Sequence, residues 1–237
     1  MIPTIVYEDL GLMDYKKAWD YQVTLFNERV NQKLTNRASL PDQQVYPDNR
    51  LLFVEHPHVY TLGRSGDQNN LLIDSNFLNN IQATYYHIDR GGDITYHGPG
   101  QIVGYPIFDL EQFGMSIKQY VFSLEQAIIN TLEEYEISAS RLAGATGVWL
   151  DPETPKARKI CAIGVKASRQ VTMHGFAFNV NTDLTYFNYI NPCGFQDKGV
   201  TSLAKEFNEK PDMNVVKMLL QHNIISLFLN YTAKVYF

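Results

Sequence analysis

Residues 90 to 101, Arg90-Gly91-Gly92-Asp93-Ile94-Thr95-Tyr96-His97-Gly98-Pro99-Gly100-Gln101, place four glycines and a proline between two strand-like runs. Ala83–Ile88 before them is rich in aromatic and β-branched residues, and Ile102–Leu110 after them is largely apolar. Glycine lets the backbone take positive φ or come close to a ligand. Two glycine clusters between strands therefore predict a shaped backbone wall, with amides and a few polar side chains turned toward a bound group. Two tight turns of a β-meander would use the same residues.

With 237 residues the chain is long enough for a substantial core, as one large domain or two small ones. Its formal net charge of −5 opposes general nucleic-acid binding, which needs a basic surface. No apolar run approaches the length of a membrane span. The opening Met1–Gly11 lacks a basic segment followed by an apolar stretch and a small-residue cleavage site, so no signal peptide is expected. Two cysteines, Cys161 and Cys193, are too few for a secreted disulfide framework and form no metal-ligand pattern. A cytoplasmic setting with both thiols free is the expectation.

Ile5–Leu10 reads as a strand, and Met13 to Lys33 as a helix with Tyr15, Trp19, Val23, Phe26 and Val30 on one face. Leu34–Arg50, with Pro41 and Pro47, reads as a surface loop. Leu51–Val54 and Val59–Leu62 are predicted strands on either side of Glu55-His56-Pro57-His58, which is a turn before it is a metal site, since two histidines lack a third ligand. A short helix is predicted at Asp74–Asn80. Ser116-Ile117-Lys118-Gln119 matches a capping box and opens a helix burying Val121, Leu124, Ile128, Leu132 and Tyr135. Gly147–Leu150, Ile160–Val165, Val171–Met173 and Phe176–Val180 read as strands, and Met213 to Ala233 as a core-packing helix. Strands broken by a few helices at uneven spacing predict an α/β or α+β sheet with helices against it, in a single domain over residues 1–237.

Covalent acyl transfer needs a nucleophile, something to raise its anionic fraction, and donors for the developing oxyanion. Cysteine suits neutral pH, and a nearby cation lowers its pKa. Cys193 lies in Asn191-Pro192-Cys193-Gly194, where the proline and glycine predict a tight turn; a buried inert cysteine fits the same residues. Cys161 lies within the apolar run Lys159–Val165, and a period of two puts Lys159, Cys161 and Ile163 on one face. A lysine opening an apolar strand ordinarily snorkels to water; facing a pocket, its ammonium would stabilise a thiolate and carry its proton. His97 and His174, beside glycine-rich backbone, are candidate bases or anchors, or satisfied core histidines.

Taken together, these blocks resemble the lipoyl(octanoyl) transferase family, which is similar in fold to the lipoate and biotin protein ligases. The resemblance runs through Glu55–Arg64, Arg90–Gln101, Lys159–Val165, His174–Val180, Asn191–Gly194 and Gly199–Leu203. It implies a biotin/lipoate protein ligase-like mixed sheet and an acyltransferase that moves an octanoyl group from acyl carrier protein to a specific lysine of apo lipoyl domains. Those domains belong to 2-oxoacid dehydrogenase acyltransferase subunits and the glycine cleavage H protein. Cys193 falls on the family's acyl-thioester position and Lys159 on the lysine that lowers its pKa. Arg90, Gly91, Gly92, Asp93, Ile94, Thr95, Tyr96 and His97 fall on the substrate-binding walls, as do Ala162, Ile163, Gly164, Gly175, Phe176 and Ala177, with His174 in support. No ATP, no metal, no nucleic acid, no membrane and a monomer are the corresponding expectations. Asp93 departs from a position that often holds Gln, and Cys161 from one that is commonly small and apolar; the latter adds a potential oxidation partner or second acylation site.

Asp151 to Gln170 carries Lys156, Arg158, Lys159, Lys166 and Arg169 against Asp151 and Glu153, a basic patch that would suit an acidic carrier. An ATP-dependent ligase on the same scaffold is the rival reading, to which Asn-Pro-Cys-Gly and His97–Gln101 are opposed. A non-catalytic acyl-binding module would need neither Cys193 nor Lys159. A cysteine hydrolase would need a Cys-His-Asn arrangement that nothing in the sequence resembles.

Overall fold

The computed structural model describes residues 3–191 and 198–236, with side chains as far as residue 233. Along the chain come β1 (Ile5–Leu12), α1 (Tyr15–Ala38), β2 (Asn49–Glu55), β3 (Val59–Leu62), α2 (Ser75–Asn80), β4 (Thr84–His87), β5 (Ile94–His97) and β6 (Gln101–Ile107). They are followed by α3 (Leu110–Phe113), α4 (Ile117–Glu133), β7 (Ser140–Leu142), β8 (Ala145–Leu150), β9 (Arg158–Ser168), β10 (Val171–Asn179), β11 (Gly199–Val200), α5 (Leu203–Phe207) and α6 (Met213–Tyr236).

Among the described residues, one eight-stranded sheet has the order β1-β2-β6-β10-β9-β8-β7, with β11 paired to β9. It is mixed. β1 with β2 and β11 with β9 run parallel, and the other neighbours antiparallel. A parallel neighbour requires a crossover, and α1 supplies the one between β1 and β2. A second sheet of three strands, β4-β3-β5, carries the first half of the glycine-rich stretch.

Strand alternation assigns opposite residues to opposite faces. Leu51, Phe53, Phe176 and Phe178 point to a large core completed by α4 and α6, where Val216, Leu220, Ile224 and Phe228 recur every four residues, fully buried. Leu52, Val54, Val103, Tyr105 and Ala177 face the other way, toward Ala18, Phe26 and Val30 of α1.

The caps follow the sequence. The Asp14 carboxylate accepts from Lys17 N at 3.1 Å to start α1, and Ser116 and Gln119 cap α4 reciprocally. The predicted loop at Leu34–Arg50 is corrected at both ends. α1 runs on to Ala38 because residues 34–38 contain no breaker, and β2 begins at Asn49. Asn36, on that added turn, grips the loop through Val45, donating to its carbonyl at 2.7 Å and accepting from its amide at 3.0 Å. The two strands predicted at Val171–Met173 and Phe176–Val180 are one, β10, with His174 held at φ 58 in its middle. No helix among the described residues is long and apolar enough to cross a membrane.

Candidate active site

A cavity of about 600 Å³ lies on the α1 face of the large sheet, where the side chains are smallest. Antiparallel pairing sets Ala162 of β9 beside Ala177 of β10, and Ala177 beside Val103 of β6. One row further along, Gly164 pairs with Gly175, and Tyr105 lies next in β6. Four residues without a side chain beyond Cβ thus form a floor that no neighbour fills.

Lys159 enters this cavity through a fault in the pairing. Val148 pairs with Cys161 but Trp149 with Lys159, so β9 carries one extra residue, Ile160, against β8. A bulge of this kind re-aims the side chains that follow it. The expectation that Lys159, Cys161 and Ile163 share a face is therefore corrected. Lys159 lines the cavity with Ala162 and Gly164, while Cys161 is 0% exposed in the large core. Its sulfur lies 3.6 Å from the Ala162 carbonyl, and burial pushes the thiol well above its ordinary pKa. A second acylation or oxidation at Cys161 has no route to solvent. The Lys159 ammonium sits 4.6 Å from the centre of the Trp149 ring, in cation–π range.

The opposite wall is the arch Arg90–Gly92. Gly91 N donates to Val165 O at 2.9 Å, and Arg64 N to Arg90 O at 3.0 Å, so the arch is tied on both sides. A Cβ on Gly164 would come within 2.8 Å of Gly91 O, and Gly92 has φ +89, so glycine is needed at both positions. The Arg90 guanidinium turns inward and donates to Thr61 O at 2.7 Å and Thr61 Oγ1 at 3.0 Å.

From Thr61 a buried polar chain continues. His97 Nε2 lies 3.4 Å from Thr61 Oγ1, and its Nδ1 donates to Gln101 Oε1 at 2.8 Å. Gln101 Nε2 donates to Asn179 Oδ1 at 2.8 Å, and Asn179 Nδ2 to Thr201 O at 3.0 Å, beside β11. Because Gln101 Oε1 accepts only, the proton of His97 sits on Nδ1 and Nε2 is an acceptor. Burial lowers the His97 pKa to about 3 and that of His56 to about 4, so both rings are neutral at pH 7. His174 Nε2 meets Asp89 Oδ1 at 2.9 Å, and Lys166 closes on Asp89 Oδ2 at 2.5 Å. The His174 bond leads in holding Asp89 well below the carboxylate range, and burial keeps His174 below its usual value.

Of the residues expected at the walls, Arg90, Gly91, Gly92, Asp93, Ile94, Thr95, His97, Lys159, Ala162, Ile163, Gly164, His174, Gly175, Phe176 and Ala177 all line the cavity. Tyr96 does not. Its hydroxyl pairs with His58 Nδ1 at 2.7 Å and its ring stacks on Tyr186, in the satellite core behind β5. Asp93 accepts from Ile94 N and from Asn70 Nδ2, both at 2.7 Å. Cys193 lies outside the described residues; Lys198, Gly199 and Val200 just after it line the cavity. His56 and His58 diverge, one to Met13 O and Tyr105 Oη, the other to Tyr96, and no group of three or more metal-ligating side chains occurs among the described residues.

The basic patch is thinned in three dimensions, with Lys156 and Arg169 left exposed. Arg158 is paired to Asp151 and Glu206, Lys166 to Asp89, and Lys159 faces the cavity. Tyr15, Tyr105 and Trp149 line the cavity too, and sequence reasoning took Tyr15 for core and passed over the other two. The available signal was chemical: a buried tyrosine or tryptophan brings a polar atom that must be placed.

Comparisons with known proteins bear on the family and the fold. A family model for the lipoyl protein ligase A/B catalytic domain matches residues 14–225. An octanoyltransferase of Cytophaga hutchinsonii is 56% identical over 226 residues, covering 95% of this chain and 93% of its own length. One from Bacteroides fragilis is 53% identical over 222 residues, covering 94% and 97%. Among solved structures, a chain from an archaeal lipoylation system of Thermoplasma acidophilum, with its bi-partite lipoate protein ligase, superposes with a TM-score of 0.65 at 15% identity, over 96% of this chain and 84% of that one. At that identity the likeness concerns the fold, which is of the biotin/lipoate protein ligase type.

Proposed function

The chain belongs to the lipoyl protein ligase A/B catalytic family, among its octanoyltransferases, and from that premise we propose that it carries an octanoyl group from a carrier-protein thioester, through Cys193, to a lysine of an apo lipoyl domain. The observation that carries the reading is the bulge at Ile160, which turns a strand lysine into a cavity floored by small residues.

In this mechanism Lys159 is the ammonium that favours the Cys193 thiolate. The thiolate attacks the donor's thioester carbonyl, the tetrahedral oxyanion collapses, and the carrier leaves as a thiolate that takes the proton of Lys159. The octanoyl-enzyme then meets the acceptor lysine. Neutral Lys159 accepts one proton from the incoming ammonium, and the amine attacks the acyl carbonyl. The Cys193–acyl bond breaks, and the second nitrogen proton goes to water as the amide forms. Exchange of thioester for thioester is nearly balanced and thioester to amide is downhill, so the cycle needs neither ATP nor a metal. The donor is octanoyl-acyl carrier protein, and the acceptors are lipoyl domains of 2-oxoacid dehydrogenase acyltransferase subunits and the H protein.

The test mixes the full chain with octanoyl-carrier protein and an apo lipoyl domain, without ATP, and follows intact mass. Octanoylated domain is expected from the wild type and from Cys161→Ser, and none from Cys193→Ser. Product that appears only with ATP and free acid would replace this reading with a ligase, and no product under either condition with a binding module.

A further inference from the structure

We infer that Tyr15 and Tyr105 form the closed end of the cavity and set the length of the acyl chain it takes. The inference rests on the acyl-transfer reading above and adds a specificity element to it.

Three observations converge. The first is depth. Gly144, Thr146 and Gly199 of the lining, with Gly91 and Gly92 of the arch, are exposed and Lys159 and Lys198 partly so, whereas Tyr15 and Tyr105 are each 3% exposed, among equally buried neighbours such as Val103 and His97. The cavity thus opens along the side of Lys159 and the Gly91–Gly92 arch and closes on the buried side, where the two tyrosines lie.

The second is length. The Lys159 side chain runs back toward the level of Cys161, its Cε 3.5 Å from where a Cβ of Gly147 would stand, which is itself 2.5 Å from Cys161 O. From there to Tyr105 is about one two-residue step along the strands and two strands across, or roughly 12 Å at ~3.3 Å per residue and ~4.8 Å per strand. An extended eight-carbon chain measures about 9 Å from standard bond lengths and angles. The remaining 3 Å or so is one hydrogen bond from the ammonium to the acyl carbonyl.

The third is rigidity. Tyr105 Oη bonds His56 Nε2 at 2.7 Å, and His56 Nδ1 donates to Met13 O at 2.8 Å. Tyr15 stacks on His97 at 6.0 Å and 9°, and on Tyr86 at 5.4 Å. Neither ring swings aside without breaking these contacts. A longer chain would have to press its methyl end against hydroxyl and imidazole groups, which close packing does not accommodate.

The experiment measures transfer from carrier thioesters of six, eight, ten and twelve carbons to an apo lipoyl domain by intact mass. Wild type should transfer eight carbons best and fall at least tenfold by twelve. Tyr15→Leu should raise the twelve-to-eight ratio about tenfold or more, and Tyr105→Phe, which removes only the hydroxyl, should raise it less. A wild type that takes twelve carbons as readily as eight, or a folded Tyr15→Leu with an unchanged ratio, would overturn the inference. If the wild type transferred no chain of any length, the acyl-transfer reading would fail instead. The length inference would then be decided by thermal stabilisation with free carboxylic acids of six to twelve carbons: an optimum at eight that moves in Tyr15→Leu upholds it, and a monotonic rise with length overturns it.

Discussion

The face of the large sheet toward α4 and α6 is filled with Phe53, Phe176, Phe178 and the leucines and isoleucines of two helices, while the same central strands show Ala162, Gly164, Gly175 and Ala177 on the other. Both faces belong to β9 and β10, so the difference lies in side-chain size and not in backbone architecture. On the filled face, volume is stability. On the hollow face, missing volume is room for a ligand. Around the cavity the strands are held by their filled side, while elsewhere the other face packs against α1 through Leu52, Val54 and Val103.

Substitutions that reverse this division test it most severely. Ala162→Leu, which fills the hollow face, should reduce octanoyl transfer by about a hundredfold or more, since even ~1 Å misplacement of a reacting group costs about that much, with the melting temperature little changed. Phe178→Ala, which empties the filled face, should do the reverse. It should cost about 3–5 kcal/mol, seen as a midpoint roughly 10 °C lower, with transfer by the folded fraction retained. If Ala162→Leu unfolded the protein while Phe178→Ala abolished transfer, the division between the faces would be wrong.

Acid should act through the hollow side. His56 and His97 are held neutral in the folded chain, with pKa lowered to about 4 and about 3 by burial, against about 6.5 when unfolded. Below pH 6.5 the unfolded chain binds protons that the folded one does not, so stability is fully present above that pH and is lost as pH falls toward 4 and 3. Each histidine contributes up to about 1.4 kcal/mol per pH unit in that window. Denaturation midpoints at pH 7, 6 and 5 measure the slope, and His56→Gln should flatten it; an unchanged slope would show that the ring is not held neutral. The smallest effect belongs to Cys161→Ala. Removal of one buried sulfur should lower stability by about 1 kcal/mol and leave the transfer rate as it was, read by denaturant titration and the mass assay together.

Much of this arrangement was legible in the residues, and the exceptions have physical reasons. The glycine-rich stretch supported two readings, and each holds for half of it. Gly91 and Gly92 line the cavity, while Gly98 and Gly100 turn the chain from β5 into β6, with Gln101 N bonded to Gly98 O at 3.2 Å. The amphipathic helices were legible because apolar steps of three and four have one explanation. The face shown by Lys159 was not, because a bulge exists only relative to a partner strand, and nothing within Lys159–Val165 says that Trp149 and Val148 will straddle an extra residue. Tyr15 counted as core by its spacing, correctly as to burial, and its place at a cavity end depends on small residues more than 140 positions away, at Ala162 and Gly164. The patch Lys156–Arg169 is thinner in the fold than along the chain, because charge along a chain says nothing of the carboxylates, such as Glu206 and Asp89, that folding brings to it.

The extra residue at Ile160 also works as a chemical insulator. By slipping the strand's phase by one residue, it sets the Lys159 side chain in the cavity and the Cys161 sulfur in the core on the other face, although the two are neighbours but one in sequence. In the proposed transfer, an acyl group beside Lys159 would thereby be kept from the buried Cys161. Deletion of Ile160 would remove the bulge and leave Lys159 and Cys161, then adjacent, still on opposite faces of the strand.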